Sequence, residues 1–138
     1  MTGDDASIAT RNVVELFFQR LATGEPDEFT ALLADDIDWL IPGDTNLAPW
    51  VGKRFTRSGV ADYLRRLRAS VEPLRADVQH VLVDGDVAVA VGEFASRMRP
   101  TGKLVESIFF ALFVVRDGLI VRYRLLEDSQ AVVVALTA

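Results

Sequence analysis

The sequence predicts a single α+β domain in which three helices cover a curved, mostly antiparallel sheet. Two observations lead to this prediction. Apolar residues recur at helical spacing in much of the first half of the chain, whereas from about residue 75 onward they lie in extended segments separated by turn residues. No linker, repeat or low-complexity segment interrupts the sequence, so residues 1–138 are expected to form one domain.

Three stretches have the pattern of amphipathic helices. Residues 6–23 carry an apolar stripe that stops at Gly24, a residue favoured just beyond the end of a helix. A short second helix is expected from Pro26, because proline is favoured in the first helical turn. The third helix is expected to have Ser58 as its N-cap and to end at Pro73.

The predicted strands follow a different period. One short strand at residues 37–41 precedes the third helix, and four longer strands are expected at about 75–83, 86–99, 104–116 and 119–127. Asp-Gly pairs at 84–85 and 117–118 are typical of hairpin turns, and residues 100–103 form a longer turn. A long sheet with helices on one face curls, and its concave side is the expected ligand site.

Composition excludes several classes of function. The net charge of −5 argues against a nucleic-acid-binding surface, which needs clustered Lys and Arg. The chain has no Cys and one histidine, His80, so we expect no thiolate chemistry and no metal site. No phosphate-binding glycine motif is present, so we expect no cofactor. The acidic N-terminus and the lack of a long apolar run predict a cytoplasmic protein without membrane contact.

Two tryptophans stand beside residues that bend the backbone. Trp39 comes shortly before Pro42, and Trp50 follows Pro49 directly. Indole rings placed in this way are typical of the wall or mouth of a pocket. The alternative, that both rings fill the core, stays open because tryptophan is highly buried on average.

Charged residues fall on strand faces that are otherwise apolar. In the second long strand, Glu93 and Arg97 share a face with three valines, so they face the cavity if those valines do. In the last strand, Tyr123 and Glu127 share the apolar face, and Asp128 faces inward only if a β-bulge intervenes. A carboxyl group in apolar surroundings has a raised pKa and can act as a general acid or base near neutral pH. The alternatives, a Glu93–arginine pair and a solvent-exposed cap at Asp128, stay open.

Strand 104–116 is apolar on both faces. One face presents Ile108, Phe110, Leu112 and Val114, and the other presents Phe109, Ala111, Phe113 and Val115. Helices cover only one side of such a sheet, so the second apolar face needs another cover. We therefore predict a homodimer that forms by contact between two sheets.

Several local segments belong together in their order along the chain: residues 22–29 with 32–36, 39–43, Gly52 with the helix that follows it, 100–103, 115–122 and 124–128. These segments and the order of elements resemble the nuclear transport factor two-like superfamily of cone-shaped, cystatin-like α+β domains, and its SnoaL-like members in particular. The resemblance covers essentially the whole chain. It implies one SnoaL-like domain over residues 1–138, a mixed sheet that is mostly antiparallel, and a homodimer.

The resemblance does not extend to three well-defined catalytic sets of this superfamily. The tyrosine and two aspartates of ketosteroid isomerase-like proteins fall on Phe17, Ile41 and Ala111, which cannot transfer a proton. The Asp-Arg-Asp relay of epoxide hydrolase-like proteins and the histidine pairs of scytalone dehydratase-like proteins have no match either. SnoaL-like proteins place a catalytic aspartate near the end of the last strand, which implies Asp128.

We therefore expect a SnoaL-like enzyme, a cyclase, isomerase, dehydratase or hydrolase, that uses cofactor-free general acid/base catalysis on a hydrophobic, oxygenated, aromatic or polyketide-like molecule. The expected catalytic residues are Glu93, Asp128, Glu127, Arg97 and Tyr123. The expected substrate contacts are Phe17, Trp39, Ile41, Trp50, Val91, Phe109, Ala111, Phe113 and Arg124. Arg97 or Arg124 would stabilise an oxyanion. The alternative is a non-catalytic binding or dimerisation module, which an apolar or side-chain-filled interior would favour.

Overall fold

The computed structural model describes residues 3–138 and contains four helices and six strands. The elements are α1 (Gly3–Thr23), α2 (Pro26–Thr30), β1 (Leu33–Ile41), β2 (Gly52–Arg54), α3 (Arg57–Ser70), β3 (Val71–Asp84), β4 (Val87–Met98), β5 (Leu104–Arg116), β6 (Leu119–Glu127) and α4 (Ser129–Leu136). The predicted α+β class and order of elements are confirmed. The short strand β2 and the C-terminal helix α4 are additions that the sequence did not predict. In the described part of the chain, no helix has the length and apolar character needed to cross a membrane.

All six strands join one mixed sheet in the order β2-β1-β6-β5-β4-β3. Strand β1 runs parallel to β6, and every other pair of neighbours is antiparallel, which confirms the expected mixed sheet. Helices α1 and α3 pack against one side of the sheet, here called the inner face, through Phe17 and Tyr63. The opposite side is the outer face.

A cluster of aromatic rings fills the inner face. The Phe17 ring of α1 lies at its centre, with ring centroids 4.9 Å from Phe113, 5.1 Å from Tyr123 and 5.0 Å from Phe29. Trp39 stacks on Tyr123 at 4.2 Å. Trp39 and Trp50 are both buried, as the core-filling alternative expects.

The two faces of β4 are the reverse of the expected ones. Ala88 and Ala90 are buried on the inner face, whereas the valines at 87, 89 and 91 point to the outer face. Gly92 is inward as well, and a Cβ atom there would clash with the Asp77 carbonyl oxygen of β3 and lie 2.8 Å from the Phe109 ring. A small residue is needed at this position because both the neighbouring strand and an aromatic ring of the core lie directly against it. The expectation that the valines face the cavity is therefore wrong.

A bulge in β3 changes which side chains face the core. Val78 pairs with Gly92 and His80 pairs with Val91, so Gln79 is an extra residue in the strand. Simple alternation would place Val78 on the same face as His80, but the bulge turns Val78 to the inner face. Val81 then also faces inward, opposite Ala90. His80 is exposed on the outer face.

The ends of two helices are defined by side-chain caps. The N-cap of α3 is Thr56, not Ser58, because its Oγ1 accepts a hydrogen bond from the Gly59 N–H at 3.0 Å. Pro73 lies inside β3, an edge strand, where a missing N–H is tolerated. The N-cap of α4 is Asp128, whose Oδ1 accepts from the Ala131 N–H at 2.9 Å.

Candidate functional site

Glu127 is the carboxyl group that β6 directs towards the core. In the pairing of β5 with β6, Glu127 lies opposite Phe109, and Tyr123 lies opposite Phe113, both on the inner face. The register of β6 does shift, but near its start, between Ile120 and Arg122. A bulge at that position leaves the end of the strand in simple alternation. Glu127 therefore faces inward and Asp128 does not.

The surroundings of Glu127 favour its protonated form. Burial, and to a lesser extent the charge of Asp128, raises the pKa of Glu127 from 4.5 to about 7. Among residues 3–138, no side chain or backbone group forms a hydrogen bond or ion pair with its carboxyl group. Near neutral pH the group is divided between its neutral and ionised forms, which is the condition that suits a general acid or base.

Two buried tyrosines lie within electrostatic reach of this carboxyl group. Burial, assisted by the charge of Glu127, raises the pKa of both Tyr63 and Tyr123 well above the usual value of 10. Both hydroxyl groups therefore stay protonated and available as donors. Neither one forms a hydrogen bond to another group in the described chain. Tyr63 was not predicted as a site residue, although it follows Val60 by three positions on the buried face of α3.

Trp39 adds a third donor between the tyrosines. Its ring centroid lies 4.2 Å from that of Tyr123 and 5.0 Å from that of Tyr63. Its Nε1 atom is buried and has no acceptor among the described residues. A buried donor without an acceptor lowers the folding stability by about 1–3 kcal/mol. Its presence therefore indicates either a bound ligand or an ordered water molecule as the missing acceptor. The cluster of Trp39, Tyr63, Tyr123 and Glu127, here called the inner polar cluster, thus contains three donors that find no acceptor among residues 3–138.

Arg54 supports the inner polar cluster from the neighbouring strand. It lies opposite Trp39 in the pairing of β1 with β2, and its side chain is largely buried. Its Nη1 donates to the Gly59 carbonyl at 2.7 Å and its Nη2 donates to the Pro49 carbonyl at 3.1 Å. The bond to Gly59, together with a bond from Arg54 Nη1 to Asp62 Oδ2 at 3.3 Å, attaches the first two turns of α3, which include Tyr63, to the edge of the sheet.

Three of the expected catalytic residues lie away from this cluster. Glu93 and Arg97 are exposed on the outer face, and Arg97 forms an ion pair with Glu72 at 3.5 Å. Their expected inward orientation is wrong because β4 presents its small residues to the core. Asp128 caps α4, as the alternative for that residue foresaw. Of the five expected catalytic residues, Glu127 and Tyr123 are the two that the fold brings together.

The expected substrate contacts are divided in the same way. Buried in the core are Phe17, Trp39, Ile41, Trp50, Phe109, Ala111 and Phe113. Val91 and Arg124 lie on the outer face, which corrects their expected place in the cavity. Arg124 donates to Asp38 Oδ2 at 2.9 Å and holds the pKa of Asp38 below its usual value. Within residues 3–138, no three acidic or histidine side chains gather closely enough to hold a metal ion.

Two open grooves accompany the site. The outer-face groove has a volume of about 360 Å³ and is lined by Leu40, Pro42, Val89, Phe110, Leu112, Arg124 and Leu126. The α1–β3 groove has a volume of about 400 Å³ and is lined by Val14, Glu15, Phe18, Gln19, Val78 and Val81. The second groove lies beside the aromatic cluster that contains Phe109.

Comparison with known proteins agrees with this architecture. No curated protein sequence matches the chain. Among solved structures, an NTF2-like protein from Burkholderia xenovorans LB400 is 23% identical with a TM-score of 0.86, covering 95% of this chain and 98% of that one. TerC, co-crystallized with polyporic acid, is 15% identical with a TM-score of 0.81 and coverages of 94% and 99%. An LEH-like epoxide hydrolase from M. tuberculosis is 22% identical with a TM-score of 0.73 and coverages of 94% and 90%.

These likenesses are all below 25% identity, so they establish the cone-shaped fold of nuclear transport factor two-like proteins and nothing finer. The family-level match comes from the sequence itself. The model of the SnoaL-like domain matches residues 14–123, from the buried part of α1 to Tyr123 in β6. This span includes most of the elements that form the cone, and the chain therefore belongs to the SnoaL-like domain family.

Proposed function

We propose that this protein is a small-molecule enzyme that transfers protons on a hydrophobic, oxygenated substrate without a cofactor, with Glu127 as the general acid and base. The observation that carries the proposal is the inward carboxyl group of Glu127, which has no partner among residues 3–138 and whose pKa is raised to about 7 within electrostatic reach of the Tyr63 and Tyr123 hydroxyl groups. Structural carboxylates are usually paired or hydrogen-bonded in the folded state. A carboxyl group kept unpaired and half protonated at neutral pH suits proton transfer.

In the proposed mechanism, the ionised carboxyl group of Glu127 takes a proton from a carbon next to a carbonyl group of the substrate. Negative charge then develops on the carbonyl oxygen, which accepts hydrogen bonds from the Tyr63 and Tyr123 hydroxyl groups and the Trp39 N–H. Glu127 returns the proton to another carbon in an isomerisation or to a departing hydroxyl group in a dehydration. In a cyclisation, the carbanion attacks a second carbonyl of the same molecule, and the new alkoxide takes the proton.

Two of the similar structures support this chemistry as a proposal. TerC was co-crystallized with polyporic acid, and the M. tuberculosis protein is described as an LEH-like epoxide hydrolase. Those properties belong to those proteins. They support the idea that a cone of this kind accommodates an oxygenated organic molecule, and the aromatic side chains of this chain's inner face suit an aromatic or polyketide-like one.

We expect proton exchange to identify the substrate class. The protein would be incubated in D₂O with a panel of aryl ketones, β-diketones and short polyketide mimics, and deuterium uptake at carbon followed by NMR. The wild type should accelerate exchange for members with an acidic C–H next to a carbonyl group, and Glu127→Gln should reduce that acceleration to near the uncatalysed rate. Equal exchange rates with wild type and Glu127→Gln across the panel would contradict the proposal.

The packing of the inner face favours a second candidate, a non-catalytic binding module. Phe17, Trp39 and Phe113 occupy the interior with rings about 5–6 Å apart, and such filling was the expected sign of a module. The two candidates differ in one result. A module would bind a ligand without converting it, whereas the enzyme would convert its substrate at a rate that Glu127→Gln lowers.

We further propose that two copies associate through their outer faces. The outer face exposes Ile108 (60%), Phe110 (47%) and Leu126 (58%), which adjoin half-buried Val89 and Leu112. Monomeric proteins rarely expose a continuous apolar patch larger than a few hundred Å². A second copy of this surface would cover the patch. The cytoplasmic location expected from the sequence remains a prediction.

Charge placement on the outer face is consistent with a twofold arrangement. Phe110 lies midway along β5, with Glu106 and the Ile108–Glu93 pair towards one end. Towards the other end lie Arg124, opposite Leu112, and Arg122, opposite Val114. A twofold axis near Phe110 would bring Glu93 and Glu106 of one copy towards Arg122 and Arg124 of the other, while both arginines keep their ion pairs with Asp38 in their own copy.

A further inference from the structure

We propose that the α1–β3 groove is the entrance and outer half of the ligand site, where it holds the apolar, ring-containing end of a neutral molecule whose oxygenated end reaches Glu127. This inference rests on the proposed function, because it describes how a substrate enters and is selected at that same site. It assigns Phe18, Gln19 and Val78 to substrate selection, a role that the sequence did not predict for them.

The groove is a product of the bulge in β3. The extra residue at Gln79 turns both Val78 and Val81 towards α1, although they are three positions apart. Because β3 is an edge strand, no further strand closes the groove from that side. Val78 remains 40% exposed, although it belongs to the inner face. Apolar side chains from a helix and a strand thus line an opening of about 400 Å³, within the usual range for small-molecule sites of about 300–1,000 Å³.

The groove continues towards the inner polar cluster through two phenylalanines. The Phe18 ring forms one wall of the groove, and its centroid lies 6.1 Å from that of Phe109. The Phe109 ring lies directly over Gly92, where the missing side chain leaves room for it. In the sheet, Phe109 is the direct neighbour of Glu127. Val78, Gly92, Phe109 and Glu127 thus follow one another across the inner face of the sheet, and a ligand that enters the groove reaches the carboxyl group by displacing the Phe109 ring.

The residues at the rim indicate the chemistry of the ligand's outer end. Glu15 is the charged residue among the six that line the groove, and Gln19 lies one helical turn further along α1. The Glu15 carboxylate disfavours an anionic group in the groove. Gln19 supplies both a donor and an acceptor for a neutral polar substituent. A fatty acid or another carboxylate-tailed molecule is therefore a poor fit, and a neutral fused-ring molecule with a phenol or ketone at its inner end is a good one.

The test uses 2-naphthol and phenol as probes, with dissociation constants measured by calorimetry at pH 7. Phenol is small enough to occupy the inner end alone, whereas the second ring of 2-naphthol needs the groove. Val78→Phe fills the groove and should weaken 2-naphthol binding by about tenfold or more while changing phenol binding less than about twofold. The matched control is Ile8→Phe, which adds a ring at a position of α1 that is 60% exposed and should change neither affinity. Should Val78→Phe fold poorly, Gln19→Trp closes the same groove from the exposed side of α1.

The ligand class is tested with the carboxylate analogue 6-hydroxy-2-naphthoate. The wild type should bind it about tenfold more weakly than 2-naphthol, and Glu15→Gln should narrow the difference. Unchanged 2-naphthol affinity in the groove-filling variants, or no binding of 2-naphthol by the wild type, would overturn the inference about the groove. Equal affinities for the two naphthols would overturn the inference about ligand charge. Neither result bears on the proton-exchange assay of Glu127. Equal exchange rates with wild type and Glu127→Gln in that assay would overturn the proposed function instead.

Discussion

Glu127→Gln is expected to lower the turnover of an identified substrate by about 10²- to 10⁴-fold, the usual contribution of general acid/base catalysis. The substitution keeps the size of the side chain but removes the titrating group. The carboxyl group of Glu127 has no partner within the described residues, so its replacement by a neutral amide breaks no internal hydrogen bond or ion pair there. The fold and the affinity for substrate should therefore be nearly preserved, and the loss should appear in kcat.

Two matched amide substitutions serve as controls for this result. Glu93→Gln alters an exposed carboxyl group on the outer face, and Asp128→Asn retains an efficient helix N-cap at the start of α4. Both should keep turnover within a few-fold of wild type. A larger loss of turnover in either control than in Glu127→Gln would show that Glu127 is not the residue that transfers the proton. Wild-type rates in all three variants would contradict the proposal that the protein is a proton-transfer enzyme and would favour the non-catalytic binding module.

Phe110→Asp is expected to convert a wild-type dimer into a monomer at micromolar concentration. The residue lies near the proposed twofold axis, so each dimer would bury two carboxylates next to each other in an apolar contact. An unpaired buried charge is costly, and two like charges at the centre of an interface add repulsion. The affinity of the two copies should fall by at least about a thousandfold, as measured by sedimentation over a range of concentrations.

The control for the dimer is Ile8→Asp, which places the same charge on an exposed apolar position of α1 away from the outer face. This variant should sediment as the wild type does. A monomeric wild type at micromolar concentration would overturn the dimer and leave the cone fold intact. The apolar outer face would then need a different partner.

The order of elements was predictable because each element has a strong local signal. Strands β5 and β6 begin and end at the residues that the apolar pattern and the Asp117-Gly118 turn predict. The parallel pairing of β1 with β6 involves residues more than 80 positions apart, so no local signal predicts it, and the resemblance to a known family implied only that the sheet is mixed. Helix α4 was missed because Val132, Val133 and Val134 in succession are typical of a strand.

The site was harder to predict because it depends on which face of each strand meets the helices. Alternation along β4 places valines on one face and small residues on the other, and the sequence predicted that the larger valines face the core. The core takes the small residues because its volume is already filled by rings from other elements, which one strand's sequence does not reveal. The inward orientation of Glu127 in the last strand was predictable from simple alternation because the bulge of that strand lies far from Glu127. Tyr63 has the helical spacing of a buried residue, but nothing in the sequence places it near the carboxyl group at the end of the last strand.

The direct test of the central claim is a titration of the Glu127 carboxyl group by ¹³C NMR in protein labelled at the glutamate side-chain carbon. The signal is assigned by its absence in Glu127→Gln. Burial of the unpaired group predicts a midpoint near pH 7, well above the ordinary glutamate value of 4.5. A midpoint close to 4.5 would show that Glu127 is solvated or paired in solution, and it would contradict the proposal that this carboxyl group is poised for proton transfer.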